Sequence, residues 1–94
     1  MSLKGKGALV TGSTSGIGLG IARALAKEGA NIMLNGLGDA GAIAKLRADL
    51  AAEFAVKVEY DPADMTRPAQ IVAMIKGTLA RLGLLDVIVN NASI

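Results

Sequence analysis

The chain has 94 residues, of which 52% are hydrophobic and only 2% aromatic, and its formal net charge is +2. This length predicts one domain with an aliphatic core, while scattered basic residues and few rings argue against a nucleic-acid partner. The sequence contains no cysteine and no histidine, which excludes thiol chemistry and argues against a metal site.

The amino-terminal residues 1–6 lack the apolar run of a signal peptide. No stretch approaches the roughly 20 apolar residues that span a bilayer. We therefore expect a cytoplasmic protein without a membrane partner.

Short apolar runs alternate with segments of helical period along the chain. The apolar runs predict four strands, at residues 8–11, 31–35, 56–60 and 86–90. The periodic segments predict three helices, at residues 17–28, 40–54 and 67–82. This alternation predicts right-handed crossovers and a parallel sheet, in an α/β fold.

Two of the predicted helices carry an apolar face that burial against a sheet requires. The face of the second helix consists of Ile43, Leu46, Leu50 and Phe54. The face of the third helix consists of Ile71, Ile75, Leu79 and Leu82. We expect both faces to belong to the core.

Three glycines follow the first predicted strand with the spacing G-x-x-x-G-x-G, namely Gly12, Gly16 and Gly18. Gly12 allows the backbone to turn sharply off the strand, and Gly16 lets the backbone approach a ligand without a Cβ in the way. Gly18 lets the following helix lie close to the sheet. The pattern therefore predicts a strand, a tight turn and a helix that meet at a binding site.

Ile17 begins the first predicted helix, whose free N–H groups and positive dipole end point to the space above the strand. Ser13, Thr14 and Ser15 add hydroxyl donors at the same place. Together these groups predict a cradle for pyrophosphate. The sequence after Gly18 lacks the Lys-Ser/Thr pair of a phosphate loop, which excludes that alternative.

Three motifs in chain order resemble the short-chain dehydrogenase/reductase family. They are Thr11-Gly12-Ser13-Thr14-Ser15-Gly16-Ile17-Gly18, Asp64-Met65 and Asn90-Asn91-Ala92-Ser93. The resemblance implies half of a doubly wound Rossmann fold, with four parallel strands in the order 3-2-1-4 and three helices. Residues 1–94 would form a single truncated dinucleotide-binding domain, and residues 35–40 look most like the 3-hydroxybutyrate dehydrogenase branch.

In that strand order, the turns that follow the strands meet where the order reverses, and ligands bind there. The turn after strand 2 contains Leu37, at the place where a dinucleotide site selects its adenosine ribose. Asp39 lies near but is expected to cap the next helix. Because neither residues 13–15 nor residues 35–39 contain Arg or Lys, the sequence favours NAD over NADP as cofactor.

The resemblance also implies contacts after strands 3 and 4. Asp64 matches a carboxylate that accepts from the adenine amine, and Met65 would lie by the adenine ring. Asn90 would steady the central strands, and the backbone at Ala92 would pass the cofactor ribose. Ser93 stands where the family has glycine, which would strain the turn or crowd the ribose.

The family transfers hydride with a later asparagine, a serine and a Tyr-x-x-x-Lys pair, and none of these matches a residue of this chain. Its single tyrosine, Tyr60, is followed four residues on by Asp64. We therefore expect no catalytic residue here and interpret the chain as the cofactor-binding half of an NAD-dependent oxidoreductase, not itself a competent enzyme. Its parent would transfer hydride between NAD and a secondary alcohol or ketone, with 3-hydroxybutyrate suggested by the branch.

Two other functions remain open from the residues. The chain would be a structural, self-associating fragment if the glycine turn served the fold alone, or a mononucleotide or phosphate binder if its hydroxyl-rich turn held a single phosphate. The strand at residues 86–90 would expose an apolar edge, and the third helix would cover only part of its face of the sheet. We expect a homodimer or larger assembly through one of these surfaces.

Overall fold

Strands and helices alternate along residues 2–91, the part of the chain that the computed structural model describes. The strands are β1 (Gly7–Val10), β2 (Asn31–Asn35), β3 (Val58–Asp61) and β4 (Val87–Val89). The helices are α1 (Gly16–Lys27), α2 (Ala40–Phe54) and α3 (Pro68–Leu82). The seven predicted elements are confirmed, with the bounds of β2 and α2 as expected and the others shifted by one or two residues.

The four strands form one parallel sheet in the order β3-β2-β1-β4, which confirms the predicted order. In the register of β1, Ala8 lies beside Ile32 of β2 and beside Val87 of β4. The chain thus runs outward from β1 to β3 and then crosses back to β4. The carboxyl ends of all four strands lie along one edge of the sheet, where the predicted turns meet.

Side chains of β1 alternate between the two faces of the sheet, as the pleat requires. Ala8 and Val10 pack in the cluster that contains residues of α1 and α2. Leu9 packs on the opposite face, in the cluster with Met74 and Leu82 of α3. Two helices therefore cover one face and a single helix covers part of the other.

The apolar face of α2 packs on the core as predicted, with Ile43 and Leu50 buried and Leu46 and Phe54 half-buried. The apolar face of α3 is rotated from the expected position. Leu79 is 47% exposed, whereas Met74 and Thr78 are fully buried together with Leu82. Thr78 is accommodated because its hydroxyl donates to the Met74 carbonyl oxygen over 2.8 Å. The expectation that Leu79 is a core residue is wrong, because α3 centres a neighbouring row of side chains on the sheet.

Within residues 2–91, no helix has the length and apolar character needed to cross a membrane. The same residues include no group of three or more His, Cys, Asp or Glu side chains placed to hold a metal ion. The cytoplasmic location stays a prediction.

Candidate functional site

The turn between β1 and α1 has the backbone that its glycines predict. Gly12 and Gly16 adopt φ angles of 60° and 59°, in the left-handed region that favours glycine. Ser15, the N-cap of α1, makes no side-chain capping hydrogen bond. Within residues 2–91, a Cβ added to Gly16 would meet no atom within 4 Å apart from those of its chain neighbours. The amino end of α1 is therefore open to a ligand.

Gly18 lies behind this turn in close contact with it. A Cβ on Gly18 would lie 2.1 Å from the Gly12 carbonyl oxygen and 2.6 Å from Nδ2 of Asn91. Asn91 Nδ2 donates to that same Gly12 oxygen over 3.2 Å, and the Asn91 N–H donates to Thr11 Oγ1 over 2.9 Å. The close approach expected of Gly18 is thus present, and it fixes the start of α1 against the end of β4.

The two asparagines after β4 make different contacts, and the role expected of Asn90 in steadying the central strands stays a prediction. Asn90 is exposed, and its Oδ1 accepts a long hydrogen bond of 3.4 Å from Thr11 Oγ1. Asn91 makes the shorter bonds to the turn. Sequence reasoning missed Asn91, although its place beside Asn90 in the same motif was a usable signal. Ala92 and Ser93 lie outside the described residues.

The three hydroxyl residues of the turn have different environments. Ser13 is fully buried and donates to the Val10 carbonyl oxygen over 2.7 Å, so the expectation that it offers a donor to a ligand is wrong. Thr14 Oγ1 donates to the Leu37 carbonyl oxygen over 3.0 Å. Ser15 is exposed at the mouth of the turn. A buried hydroxyl requires a hydrogen-bond partner, and the carbonyl oxygens at the end of the sheet provide one for Ser13.

Asn35 is a buried polar residue at the end of β2 that the predicted site did not include. Its Oδ1 accepts the Gly12 N–H over 3.2 Å, and its Nδ2 donates to the carbonyl oxygens of Asp61 and Ala63, both over 3.1 Å. Its backbone N–H donates to Ser13 Oγ over 3.0 Å. A polar residue ending an apolar strand was the one signal in the sequence, because such a side chain must find partners when buried.

The loop after β2 is held by two hydroxyl groups. Thr14 binds the Leu37 carbonyl oxygen, and the Tyr60 phenol donates to the Gly36 carbonyl oxygen. Burial, with a smaller contribution from the Asp61 carboxylate, raises the pKa of Tyr60 above its ordinary value of 10.0, so the phenol keeps its proton at neutral pH. The Leu37 side chain is 84% exposed. The backbone of the loop is fixed while its apolar side chain faces outward.

Asp64 lies within the segment that connects β3 to α3, residues 62–67. Its Oδ1 accepts from the Thr66 hydroxyl over 2.7 Å and from the Thr66 N–H over 2.9 Å, while Arg67 Nε lies 3.5 Å from Oδ2. The Thr66 hydrogen bonds, assisted by Arg67, lower the pKa of Asp64, so the carboxylate is ionised at neutral pH. Asp39, by contrast, caps α2, because its Oδ2 accepts the Ala42 N–H over 2.9 Å.

A cavity of about 640 Å³ joins these segments at the carboxyl edge of the sheet. It is lined by three residues of the glycine turn (Gly12, Thr14 and Ser15), by residues 35–37 at the end of β2 and in the loop after it, and by residues 63–66. The predicted site residues in its lining are Gly12, Thr14, Ser15, Leu37, Asp64 and Met65. Those outside the lining are Ser13, Gly16, Ile17, Gly18 and Asn90.

A second cavity of about 280 Å³ lies on the α3 face of the sheet. Met65 lines both cavities, and Asn90 and Thr11 line this one at its polar end. The remaining lining is apolar and includes Ile71 and Ile88. This is the part of the sheet face that α3 leaves uncovered.

A family model described as short chain dehydrogenase matches residues 6–94. The D-beta-hydroxybutyrate dehydrogenase of Cupriavidus necator is 53% identical over 93 residues, which cover 98% of this chain and 35% of the relative. The D-beta-hydroxybutyrate dehydrogenase of Rhizobium meliloti is 48% identical over 89 residues, which cover 95% of this chain and 34% of the relative. The chain thus spans about a third of the length of these curated relatives.

Solved structures share the same arrangement of strands and helices. A blue fluorescent protein from a metagenomic library, solved in complex with NADPH, superposes with a TM-score of 0.92 at 35% identity. The match covers 100% of this chain and 38% of that structure. The fold described above therefore corresponds to part of a larger structure in that neighbour.

Proposed function

Because this chain belongs to the short-chain dehydrogenase family, we propose that residues 1–94 form one dinucleotide-binding domain, the cofactor-binding part of an NAD-dependent oxidoreductase. One observation supports the proposal: a cavity of about 640 Å³ brings together the residues proposed to hold phosphate and those proposed to hold adenine. The former, around residues 12–15, are called the phosphate turn, and the latter, residues 63–66, are called the adenine wall. That cavity lies at the carboxyl edge of a parallel sheet, where doubly wound folds bind dinucleotides.

The residues of the cavity suit the parts of a dinucleotide. The open amino end of α1 and the exposed Ser15 hydroxyl would bind the pyrophosphate. Asp64 would accept from the adenine amine and Met65 would lie against the adenine ring. Because Thr66 and Arg67 already contact the Asp64 carboxylate, an adenine amine would share it with them.

Leu37 bears on the choice between NAD and NADP. Its exposed apolar side chain lines the cavity where the adenosine ribose would lie, and the lining contributed by residues 2–91 contains no Arg or Lys. A 2′-phosphate needs a cationic partner, whereas a 2′-hydroxyl does not. We therefore propose NAD over NADP for this chain, although a neighbour of the same fold was solved with NADPH.

The parent reaction follows from the relatives as a proposal. When bound, the cofactor would supply a hydride acceptor or donor for a secondary alcohol or ketone. The likeness to two D-beta-hydroxybutyrate dehydrogenases suggests 3-hydroxybutyrate as the substrate of a parent enzyme. This chain would bind and orient the ADP half, and we assign it no catalytic residue.

Calorimetric titration with NAD and with NADP tests the proposal. We expect saturable binding of NAD with a Kd of about 1 mM, which corresponds to a binding free energy of roughly 4 kcal/mol, and weaker binding of NADP. AMP that binds as tightly as NAD would indicate a mononucleotide binder instead. Absence of heat with NAD at several times this concentration, from a folded chain, would contradict the proposal and leave a structural fragment.

Self-association of the 94-residue chain is a second proposal. The sheet has two edge strands, β3 and β4, and comparison of their exposure favours β4 as the site of association. On the outer edge of β3, Arg47 Nε donates to the Val58 carbonyl oxygen over 3.3 Å and Arg81 donates to the Tyr60 carbonyl oxygen over 3.1 Å. Such charged coverage protects an edge strand from pairing. β4 is the other edge, and its Ile88 is 56% exposed.

We expect the isolated chain to form a homodimer or larger assembly at micromolar concentration, through the β4 edge or the adjoining α3 face. Ile88→Lys should shift it towards monomer, because a charge would enter the apolar surface. Leu84→Lys is the control, since Leu84 is 53% exposed but lies outside the apolar cavity. Light scattering that finds a monomeric wild type would refute the association.

A further inference from the structure

The buried side chain of Asn35 forms hydrogen bonds to both halves of the cavity. Its side-chain amide forms hydrogen bonds with Gly12 in the phosphate turn, with Ala63 in the adenine wall and with Asp61 at the end of β3. These contacts fill three of the four hydrogen-bonding positions of the amide. They join residues that are 23, 26 and 28 positions from Asn35 along the chain.

The chemistry of the three partners fixes the orientation of this amide. Gly12 offers an N–H donor, whereas Asp61 and Ala63 offer carbonyl oxygens, so only one placement of Oδ1 and Nδ2 satisfies all three. The side chain is 2% exposed, which keeps water from competing for these bonds. The separation of the two walls is therefore set by a residue that offers no free donor to the cavity.

We propose that Asn35 is a positioning residue that holds the phosphate turn and the adenine wall at the separation one ligand needs to contact both. This inference rests on the proposed dinucleotide site. A ligand that spans two walls gains affinity when they are fixed in place before it binds, because less ordering is required on binding. A ligand that touches one wall gains nothing from their separation.

Asn35→Asp tests this role with almost no change in shape. The carboxylate keeps an acceptor for the Gly12 N–H but sets a second oxygen against the carbonyl oxygens of Asp61 and Ala63. Asn31→Asp is the matched control. Asn31 lies at the other end of β2, where its Oδ1 accepts the N–H of Lys57, the residue before β3, over 2.9 Å. The control therefore makes the same change of residue and charge in the same strand, away from the cavity.

The probes are ADP, which spans both walls, and adenosine and inorganic pyrophosphate, which each reach one. Initial slopes of amide chemical-shift change against ligand concentration measure weak association without saturation. For Asn35→Asp we expect the slope with ADP to fall roughly tenfold, as the loss of two hydrogen bonds at the site implies. The slopes with adenosine and pyrophosphate should change by less than about twofold, and Asn31→Asp should leave all three unchanged.

Equal losses for all three probes, or an unchanged ADP slope, would overturn the proposal. If the wild type shows no shift with ADP, the dinucleotide site itself fails and the positioning role fails with it. If Asn35→Asp does not fold, Asn35→Ser replaces it, because the smaller uncharged side chain removes the same bridge and carries the same expectation.

Discussion

Gly18→Ala should destabilise the chain by about 3 kcal/mol, at the upper end of the range for overpacking a buried position. The added methyl group would lie 2.1 Å from the Gly12 carbonyl oxygen, which belongs to the backbone and cannot rotate away. Either α1 moves off the sheet or the turn at Gly12 opens. In both cases the hydrogen bond between Asn91 and the Gly12 oxygen is strained.

Gly20→Ala is the control within the same helix. Outside its own helix backbone and chain neighbours, a Cβ on Gly20 meets no atom of the described residues 2–91 within 4 Å, and Gly20 is exposed. Alanine there should stabilise the chain by about 0.5–1 kcal/mol, because it is the better helix former. Urea unfolding followed by circular dichroism measures both variants. Equal stabilities for the two would show that Gly18 does not hold the helix against the turn.

Leu50→Ala should cost about 3 kcal/mol, because the truncation leaves a cavity between α2 and the sheet. Leu50 is fully buried in the cluster that contains Ile32 and Leu34 of β2. A loss of this size is a large part of the total stability of a small domain. Thermal unfolding at fixed protein concentration measures the effect.

Leu79→Ala removes the same atoms from the side of α3 where Leu79 is 47% exposed. It should cost less than about 1 kcal/mol, since little burial is lost and alanine favours the helix. A cost for Leu79→Ala that matches the cost for Leu50→Ala would mean that the surface beside α3 is covered in solution, as association would require.

The elements of this fold were predictable where local signals agreed. For α2, Asp39 caps the amino end and Ala55 takes a left-handed conformation after the last turn, so its bounds coincide with its apolar period. The strand order followed from the alternation of strands and helices together with the resemblance to a doubly wound family. Local and global preferences point to the same structure in these segments.

The face of α3 was not predictable from its period. The helix carries Ile71 and Ile75 beside the row that contains Met74 and Thr78, and either row can be centred on the sheet. In the structure, Met74 and Thr78 are buried against the sheet, while Ile71 and Ile75 line the smaller cavity beside α3. The helical period makes the two rows nearly equivalent as candidates for burial, so the row that is buried depends on tertiary packing.

The glycine turn was predictable because each glycine meets a local structural requirement. Gly12 and Gly16 adopt a left-handed φ, and Gly18 allows close packing. The network around Asn35 was not, because its partners are brought together only by strand pairing. The burial of Ser13 was missed for the same reason. The Ser13 backbone N–H donates to the Asn35 carbonyl oxygen over 2.6 Å, and this bond places the Ser13 hydroxyl at the buried end of the sheet.

Binding of NAD by the open turn is tested most directly by calorimetric titration of the wild type, Gly16→Val and Gly5→Val. Both glycines adopt positive φ, and at both an added Cβ would meet no atom within 4 Å in the part of the chain that the structure describes, chain neighbours aside. The two variants therefore carry similar backbone strain. Only Gly16 lies at the amino end of α1. We predict saturable heat with NAD for the wild type and for Gly5→Val, and none for Gly16→Val. Equal heats for all three folded proteins, or none for the wild type, would contradict a dinucleotide site at this turn.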